Sequence, residues 1–462
     1  MEETKRNWKV TPEIQASADI DFTHLYPSQW EEERVWRRRV AERLSRLIRH
    51  AATQVPFYRE KWNGAVPRDW THINGEKLLQ ELPVITKSVL IEAFPDGCVA
   101  QNVPESRRQL EFTSGSTGQA FRFYRDITGM PARIACRRLM NQWAGIQQGD
   151  HLVWIGAPFH RIEELQGWRG IRHRVNVWLG REIPKFISVF DVSRKNVPYH
   201  LARITRSSDP YYIAGYTSTL VLMAQEIERQ GLPIARRPRC VIATAETVSQ
   251  THRRLIERSF GSRAINQYAS LEFGTVGFSC PDHPERMHFN AEWFVCEILL
   301  EDGRPAAVGE TGHLVVTDLT NEVMPFIRYD TGDLVTVSGP CPCGRTWPAV
   351  AHVEGRTSDC FTTRSGRTIF SSVIDHFLQI QHDYTPYLVE YQTIRMSESE
   401  IQFIFVPTAG WTQKVERQLQ HDLQSFFGED FSVGLKAVSR IPREASGKRP
   451  LIKSMIPSDG DR

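Results

Sequence analysis

Residues 112–118 read Phe-Thr-Ser-Gly-Ser-Thr-Gly. Gly115 and Gly118 let the chain turn tightly, so that backbone N–H groups can converge on an anion. The hydroxyls of Thr113, Ser114, Ser116 and Thr117 add further donors. No Gly-Lys-Ser/Thr follows, which excludes a Walker loop, and the Gly-x-Gly-x-x-Gly spacing of a dinucleotide fingerprint is absent. Taken alone, the run also suits an ordinary surface loop. Four later segments give it a chemical context. Residues 268–272 read Tyr-Ala-Ser-Leu-Glu, 328–334 read Arg-Tyr-Asp-Thr-Gly-Asp-Leu, Gly355-Arg356 stand together, and 442–448 read Pro-Arg-Glu-Ala-Ser-Gly-Lys. Each suits one part of ATP chemistry. The loop can cradle phosphates, and Glu272 can ligate Mg²⁺, a hard cation that takes oxygen ligands. Tyr268 can stack on a purine. Asp333 can accept from two ribose hydroxyls. Lys448 can bring positive charge to an α-phosphate as negative charge builds there.

A second constellation suits a metal. Cys280 and His288 precede Cys341-Pro342-Cys343 by about fifty residues, and Gly344-Arg345 follow. Three thiolates and one imidazole complete a tetrahedral zinc set, and four protein ligands leave no open position, so such a site staples loops and does not catalyse. His283 offers an alternative imidazole, at Cys280-x-x-His283, and four unrelated side chains is the plain alternative.

The elements that must position these residues follow from periodicity. Short apolar runs (HLVWIGAP, YYIAGY, CVIATA, AINQYA) alternate with helical stretches such as STLVLMAQEIERQG and VSQTHRRLIERSFG. That alternation implies βαβ units and a largely parallel sheet. After 290 the runs WFVCEILLEDGRP, GHLVVTDL and DLVTVSG predict a smaller antiparallel or barrel-like unit. Gly355-Arg356-Thr357-Ser358 reads as a linker, and about a hundred residues beyond it carry strands (LVEYQTIRM, EIQFIFVP) and a helix (TQKVERQLQHDLQSFF), the make-up of a small α+β domain. Near the start, apolar spacing predicts a helix over 28–52 with Ser28 and Glu31 as a capping box. Arg37, Arg38 and Arg39 on it read as a solvated face paired with Glu31 to Glu33.

Composition sets the outer limits. The chain has 462 residues, 40% hydrophobic and 24% charged, as a folded protein does. Its 57 basic and 54 acidic residues leave a net charge of +3, which gives no reason to expect nucleic acid or an anionic membrane as partner. Mean hydropathy is −0.39 and no apolar run approaches the ~20 residues of a membrane span. No secretory signal opens the sequence, and eight cysteines are too sparse for a disulfide scaffold, so a cytoplasmic location is expected.

The order and wording of the five motifs resemble the adenylate-forming superfamily of acyl- and aryl-CoA synthetases, and within it the phenylacetate–CoA ligase branch. The resemblance runs from about Pro56 to Ile452 and takes in the early motif Val55-Pro56-Phe57-Tyr58-Arg59. It implies an α/β fold with a large N-terminal adenylate-forming domain, residues 1–355, with 1–50 as a helical extension. A small mobile α+β lid follows, residues 356–462. It implies that residues 113–118 are the phosphate loop, with Thr113 taking part in catalysis, and that Ala245 and Glu246 line the adenine. Tyr268 is then the adenine-side tyrosine, Glu272 the magnesium ligand, Asp333 the ribose ligand, Arg356 the arginine by the hinge and Lys448 the adenylation lysine. Phe159-His160 match an aromatic acid-pocket motif, with a buried strand-end histidine as the alternative; Trp154 and Tyr216 are further candidate liners. Two departures stand out: Gln119-Ala120-Phe121 replace the usual lysine-containing end of the phosphate loop, and Ser358 with Asp359 occupies the hinge.

The activity implied is acid activation by ATP and Mg²⁺ through an acyl-adenylate, then transfer to the thiol of CoA or of a carrier-protein pantetheine, on an aryl or arylacetic acid. An amine acceptor, or a zinc-containing binding protein without catalysis, are the competing readings. Some relatives in this branch carry the cysteine and histidine set at matching positions. A homodimer is compatible with all of these.

Overall fold

A computed structural model describes residues 11–63, 65–67, 74–112, 121–156, 184–205, 210–356, 360–362, 368–370, 373–374, 377–384, 386–444 and 449–456. The chain divides into two compact units, one of Met1–Gln147 with Gln267–His352 and one of Gln148–Asn266 with Val353–Arg462.

In the first unit, Thr11 caps the helix Pro12–Ser28 by accepting the Ile14 N–H at 3.3 Å, and proline fills the first helical position, where its missing N–H costs nothing. Ser28 is therefore the end of this helix and not the cap of the next. Its hydroxyl donates back to the Leu25 carbonyl at 2.8 Å, which removes it from capping duty. The second helix, Glu33–Gln54, buries Trp36, Val40, Leu44, Leu47, Ile48 and Ala51, a stripe at helical spacing. Its arginines keep the expected pairing, Arg37 with Glu33 and Arg39 with Glu31, but the face is not wholly solvated: Arg39 also reaches Glu292, whose side chain is only 4% exposed, as does Arg43.

The strands of this unit are antiparallel. Phe294–Leu299, Thr311–Asp318, Tyr329–Val337, Ala349–Arg356, Met287–Phe289, Gly274–Ser279 and Arg263–Ser270 neighbour one another in that order. Gly355 and Arg356 end a strand and do not open a linker; the residues after them, including Ser358, lie outside the described residues.

The second unit holds four parallel strands in the order Cys240–Thr244, Tyr211–Tyr216, His151–Gly156, Phe186–Ser188. Val153, Ile155, Ile213, Val241 and Ala243 are buried, alternate residues that register with one another on one face of the strands. The helices Val197–Thr205, Thr217–Gln230 and Gln250–Phe260 supply apolar cover in the same core. The unit also contains a four-stranded sheet ordered Ser432–Ala437, Glu400–Pro407, Leu388–Ser397, Ile452–Ser454. The central pair is an antiparallel hairpin and both flanking strands join it in parallel. The helix Gln413–Phe427, capped by Thr412, shares a core with this sheet through Leu419, Leu423, Phe403 and Phe405. This is the α+β make-up expected for the C-terminal hundred residues. Among the described residues no helix is long and apolar enough to cross a membrane.

Close packing of the parallel strands rests on Gly215, where a β-carbon would lie 2.7 Å from the Ile155 carbonyl oxygen. Gly215→Ala should cost about 1–3 kcal/mol, because the backbone of the neighbouring strand at Ile155 cannot yield cheaply. The check is the urea midpoint, which should fall; an unmoved midpoint would mean that the strands are not so tightly apposed.

Candidate nucleotide and acid site

Three adjacent parallel strands of the second unit end level with one another, at Gly156, Tyr216 and Thr244. Carboxyl ends of parallel strands are where open α/β sheets hold ligands. Trp154 and Tyr216 meet there edge to face, with ring centroids 6.3 Å apart. Immediately after Thr244 the backbone of Ala245 takes φ +69°, a left-handed conformation that a residue with a β-carbon rarely adopts. Such strain persists only where the surroundings impose it, and it marks functional turns. Phe159 and His160 lie outside the described residues.

Glu246 follows the strained alanine, and its carboxylate has definite partners. Oε2 accepts the Ser218 N–H at 2.6 Å and Oε1 accepts the Ser218 hydroxyl at 3.0 Å. This places a negative group at the first turn of the helix Thr217–Gln230, which has no side-chain cap from its own N-cap residue Tyr216. Oε1 also accepts the backbone N–H of Arg449 at 2.8 Å. Arg443 donates to the Ser218 hydroxyl oxygen at 3.0 Å and to that of Thr219 at 2.9 Å. Burial, and then the neighbouring Arg449, hold the Arg443 guanidinium below its ordinary range.

In the first unit, Tyr268 and Asp333 are brought together. The Tyr268 hydroxyl donates to Asp333 Oδ2 at 2.6 Å. Burial and then the charge of Asp333 push the phenol well above its usual range, so it stays protonated and remains a donor. Asp333 owes its direction to a bulge. His313 pairs with Leu334 and Val315 with Asp330, which leaves residues 331–333 opposite Leu314 alone. Gly332 takes φ +73° inside the bulge, its N–H held by Asp330 and that of Asp333 held by the Thr331 hydroxyl. A register shift on the other strand falls directly beside Tyr268.

Glu272 sits half-buried in the turn that follows the Tyr268 strand. That turn is pinned on several sides. The Ser270 hydroxyl accepts the Phe273 N–H, Arg125 donates to the Leu271 carbonyl, and Arg133 reaches the Glu272 carbonyl at 3.5 Å while pairing with buried Asp318. Phe273 packs into Phe294, Phe326 and Tyr329. Residues 113–118, expected as a phosphate loop, and Lys448 lie outside the described residues, while Arg356 ends the strand Ala349–Arg356.

Cys280, His288, Cys341 and Cys343 converge, their ligand atoms all within 4.8 Å of one another. The Cys280 and Cys341 sulfurs are 3.8 Å apart and Cys343 Sγ lies 3.4 Å from His288 Nε2. Tetrahedral bonding at ~2.3 Å to sulfur sets two sulfurs about 3.8 Å apart, so the spacing fits a zinc-sized ion. The other ring nitrogen of His288, Nδ1, faces the Trp347 carbonyl at 3.2 Å, the outer contact that orients a histidine ligand. Burial lowers His288 to about 4, which keeps the imidazole neutral, and raises Cys341 to about 12 in the ion-free protein. Burial opposes ionisation of Cys343 too, but the Arg345 N–H and guanidinium outweigh it and bring that thiol below its ordinary value. His283 does not join the cluster: its ring pairs with Glu285 and only its backbone N–H contacts Cys280.

Sequence reasoning missed Arg125, Arg133, Ser218, Arg443 and Arg449. Arg443 stood inside the lysine motif, but nothing in the spacing linked it to a helix more than two hundred residues earlier.

Comparison with known proteins adds an independent line. The model of the CapK C-terminal domain matches residues 361–455. The chain is 25% identical over 419 residues to phenylacetate-coenzyme A ligase of Escherichia coli (strain K12), covering 87% of this chain and 91% of that protein. It is 21% identical over 388 residues to protein CapK of Staphylococcus aureus, covering 82% and 81%. The crystal structure of 2-hydroxyisobutyryl-CoA ligase in the postadenylation state, in complex with R3-HIB-AMP, superimposes with a TM-score of 0.71 at 21% identity, over 93% of this chain and 91% of that one. That likeness establishes the fold.

Tyr268→Phe keeps the ring and removes the bond to Asp333. It should cost about 1.5–3 kcal/mol of stability, the range for a hydrogen bond to a charged group. Chemical denaturation at unchanged slope reads this; full retention of stability would mean that the bond is not formed in solution.

Proposed function

We propose that this chain, which belongs to the adenylate-forming superfamily in its phenylacetate–CoA ligase-like branch, is an AMP-forming acid–thiol ligase. The observation that carries the reading is the hydrogen-bonded pair Tyr268 and Asp333 beside the pinned turn of Glu272. In this reading the Tyr268 ring serves an adenine, the Asp333 carboxylate a ribose, and the Glu272 carboxylate a magnesium–phosphate group.

In this reading an oxygen of the substrate carboxylate attacks the α-phosphorus of ATP, pyrophosphate leaves, and an acyl-adenylate results. Asp333 holds the ribose hydroxyls, Tyr268 faces the adenine, and Ala245 and Glu246 line it through the strained backbone at Ala245. Residues 113–118 donate to the phosphates, Thr113 among them, and Glu272 would hold Mg²⁺, which offsets phosphate charge. Lys448 places positive charge at the reacting phosphate. The CoA thiol then attacks the acyl carbon, and AMP leaves with the former carboxylate oxygen. Residues 356–462 act as a mobile lid, with Arg356 at its hinge, and closure keeps water from the mixed anhydride. Trp154, Phe159, His160 and Tyr216 line an acid pocket suited to an aryl or arylacetic substrate. The protein works in the cytoplasm. Zn²⁺ fills the Cys280, His288, Cys341 and Cys343 set as a structural ion, with the neutral His288 ring already in its ligating form.

The reading is tested by acid-dependent pyrophosphate release from ATP and Mg²⁺ over benzoic, arylacetic, cinnamic and short aliphatic acids, each with and without CoA. Release that rises with CoA for one acid class supports it. Turnover that ignores CoA redirects the second step to a carrier-protein pantetheine or an amine. Silence with every acid contradicts the reading.

Lys448→Ala should abolish pyrophosphate release and leave CoA-dependent consumption of a supplied acyl-adenylate within about twofold of wild type, as a residue used only in the first step requires. Equal loss in both half-reactions would count against it. Cys341→Ser should remove the bound zinc, measured by metal analysis of purified protein as a fall from one equivalent toward none; a full equivalent in the variant would show that the ion is held elsewhere.

A further inference from the structure

Arg449 directly follows Lys448, so the N–H that Glu246 receives belongs to the peptide bond joining the two residues. Arg443 lies five residues before Lys448 and donates to Ser218, the same residue whose N–H and hydroxyl Glu246 accepts. The interval 443–449 is thus tied at both ends to one small patch, the first turn of the helix Thr217–Gln230 and the Glu246 carboxylate. On its other side Arg449 pairs with Glu390, both side chains being largely buried. The next two carbonyls are engaged by the hairpin strand, Pro450 by the Gln392 amide at 2.9 Å and Leu451 by the Thr393 N–H at 2.8 Å. The strand Ile452–Ser454 then pairs with that same hairpin strand.

We infer that Glu246 and Arg443 are positioning residues for the adenylation half-reaction: together with Ser218 they seat the segment that carries Lys448. The inference rests on the reading of Lys448 as the adenylation lysine and extends it to the side chains bonded to the two ends of its segment. Two features of the geometry explain the choice of glutamate. A carboxylate offers two oxygens, and here Oε2 serves the helix N–H while Oε1 serves the Ser218 hydroxyl and the Arg449 N–H. The charge is also stabilised by the exposed N–H groups of a helix start, so these bonds are of the stronger, charge-assisted kind. A glutamine would keep one carbonyl oxygen, lose one acceptor and lose the charge.

A seat of this kind has a kinetic signature. Lys448 serves only the first step, so releasing its segment should slow adenylation and spare thioester formation. A role for the Glu246 side chain in gripping adenine would instead raise the KM for ATP, and a purely structural role would damage both steps together.

The test compares Glu246→Ala, Glu246→Gln and Arg443→Met with wild type in three readouts. In acid-dependent pyrophosphate release, Glu246→Ala should lower kcat at least tenfold with the KM for ATP changed less than threefold, Glu246→Gln should recover part of that loss, and Arg443→Met should act in the same direction. In CoA-dependent consumption of a supplied acyl-adenylate, Arg443→Met should stay within about twofold of wild type, and the Glu246 variants should lose far less than they lose in pyrophosphate release. In limited trypsin digestion, cleavage after Lys448 should be about tenfold faster in both Glu246→Ala and Arg443→Met, and cleavage after Arg443 likewise faster in Glu246→Ala. The digestion needs no catalysis, so it judges the seat even if the ligase reading fails: equal cleavage in wild type and both variants overturns the inference outright. With faster cleavage, unchanged pyrophosphate release, a loss confined to the KM for ATP, or matching losses in both half-reactions would overturn the positioning role. A wild-type protein that turns over no acid overturns the ligase reading and with it the assignment to adenylation.

Discussion

The bond from the Tyr268 hydroxyl to the Asp333 carboxylate sets the constraint on which the proposed chemistry depends. These residues stand 65 positions apart on two strands of the antiparallel part of the protein, and neither points where it does by regular pleating alone. A three-residue bulge with Gly332 at φ +73° turns Asp333, and a register shift in the neighbouring ladder falls beside Tyr268. The phenol, held protonated by burial and by the carboxylate, donates its only hydrogen to Asp333 and so fixes that acceptor before any nucleotide arrives. A group fixed in advance loses less freedom on binding, which is how preorganisation improves affinity.

The same economy recurs at the other sites. Ala245 is held in a left-handed conformation where the parallel strand Cys240–Thr244 ends, and Glu246 follows it. Glu272 rides on a turn whose carbonyls are engaged by Arg125 and Arg133. Regular strands bring these positions close within each unit, and a local departure from regularity at the last residue aims the side chain. The four metal-ligand candidates follow the rule from the opposite direction. Cys280 and His288 are set by the paired strands Gly274–Ser279 and Met287–Phe289, the strand Ala349–Arg356 pairs with the latter shortly after Cys341 and Cys343, and an ion would bind all four there.

Much of this was legible in the sequence. The parallel strands, their helices, the later antiparallel strands and the C-terminal α+β make-up all followed from apolar period, because period reports which face is covered. The pairing of Tyr268 with Asp333 was implied only through their separate roles, and the choice of His288 over His283 could not be made from spacing. The errors lie where chain ends compete for the same groups. Ser28 looked like a cap because a hydroxyl preceded a glutamate by three residues, yet its own helix claimed the hydroxyl first. Gly355-Arg356 looked like a linker because glycine breaks strands, yet the strand Ala349–Arg356 continues through both. Arg39 looked solvated because its neighbours are acidic, and it does pair with Glu31, yet it also turns to Glu292, more than two hundred residues away. Arg443 and Arg449 were illegible for the same reason: an ion pair or hydrogen bond between distant segments leaves no local pattern.

The central claim is that Asp333, oriented by Tyr268, grips the sugar of a bound nucleotide. Isothermal titration of Mg–ATP into the wild-type protein and into Asp333→Ala tests it without requiring the acid to be known. The account predicts saturable binding by the wild type and an affinity at least tenfold weaker in the variant. Equal affinity in the two proteins would contradict it.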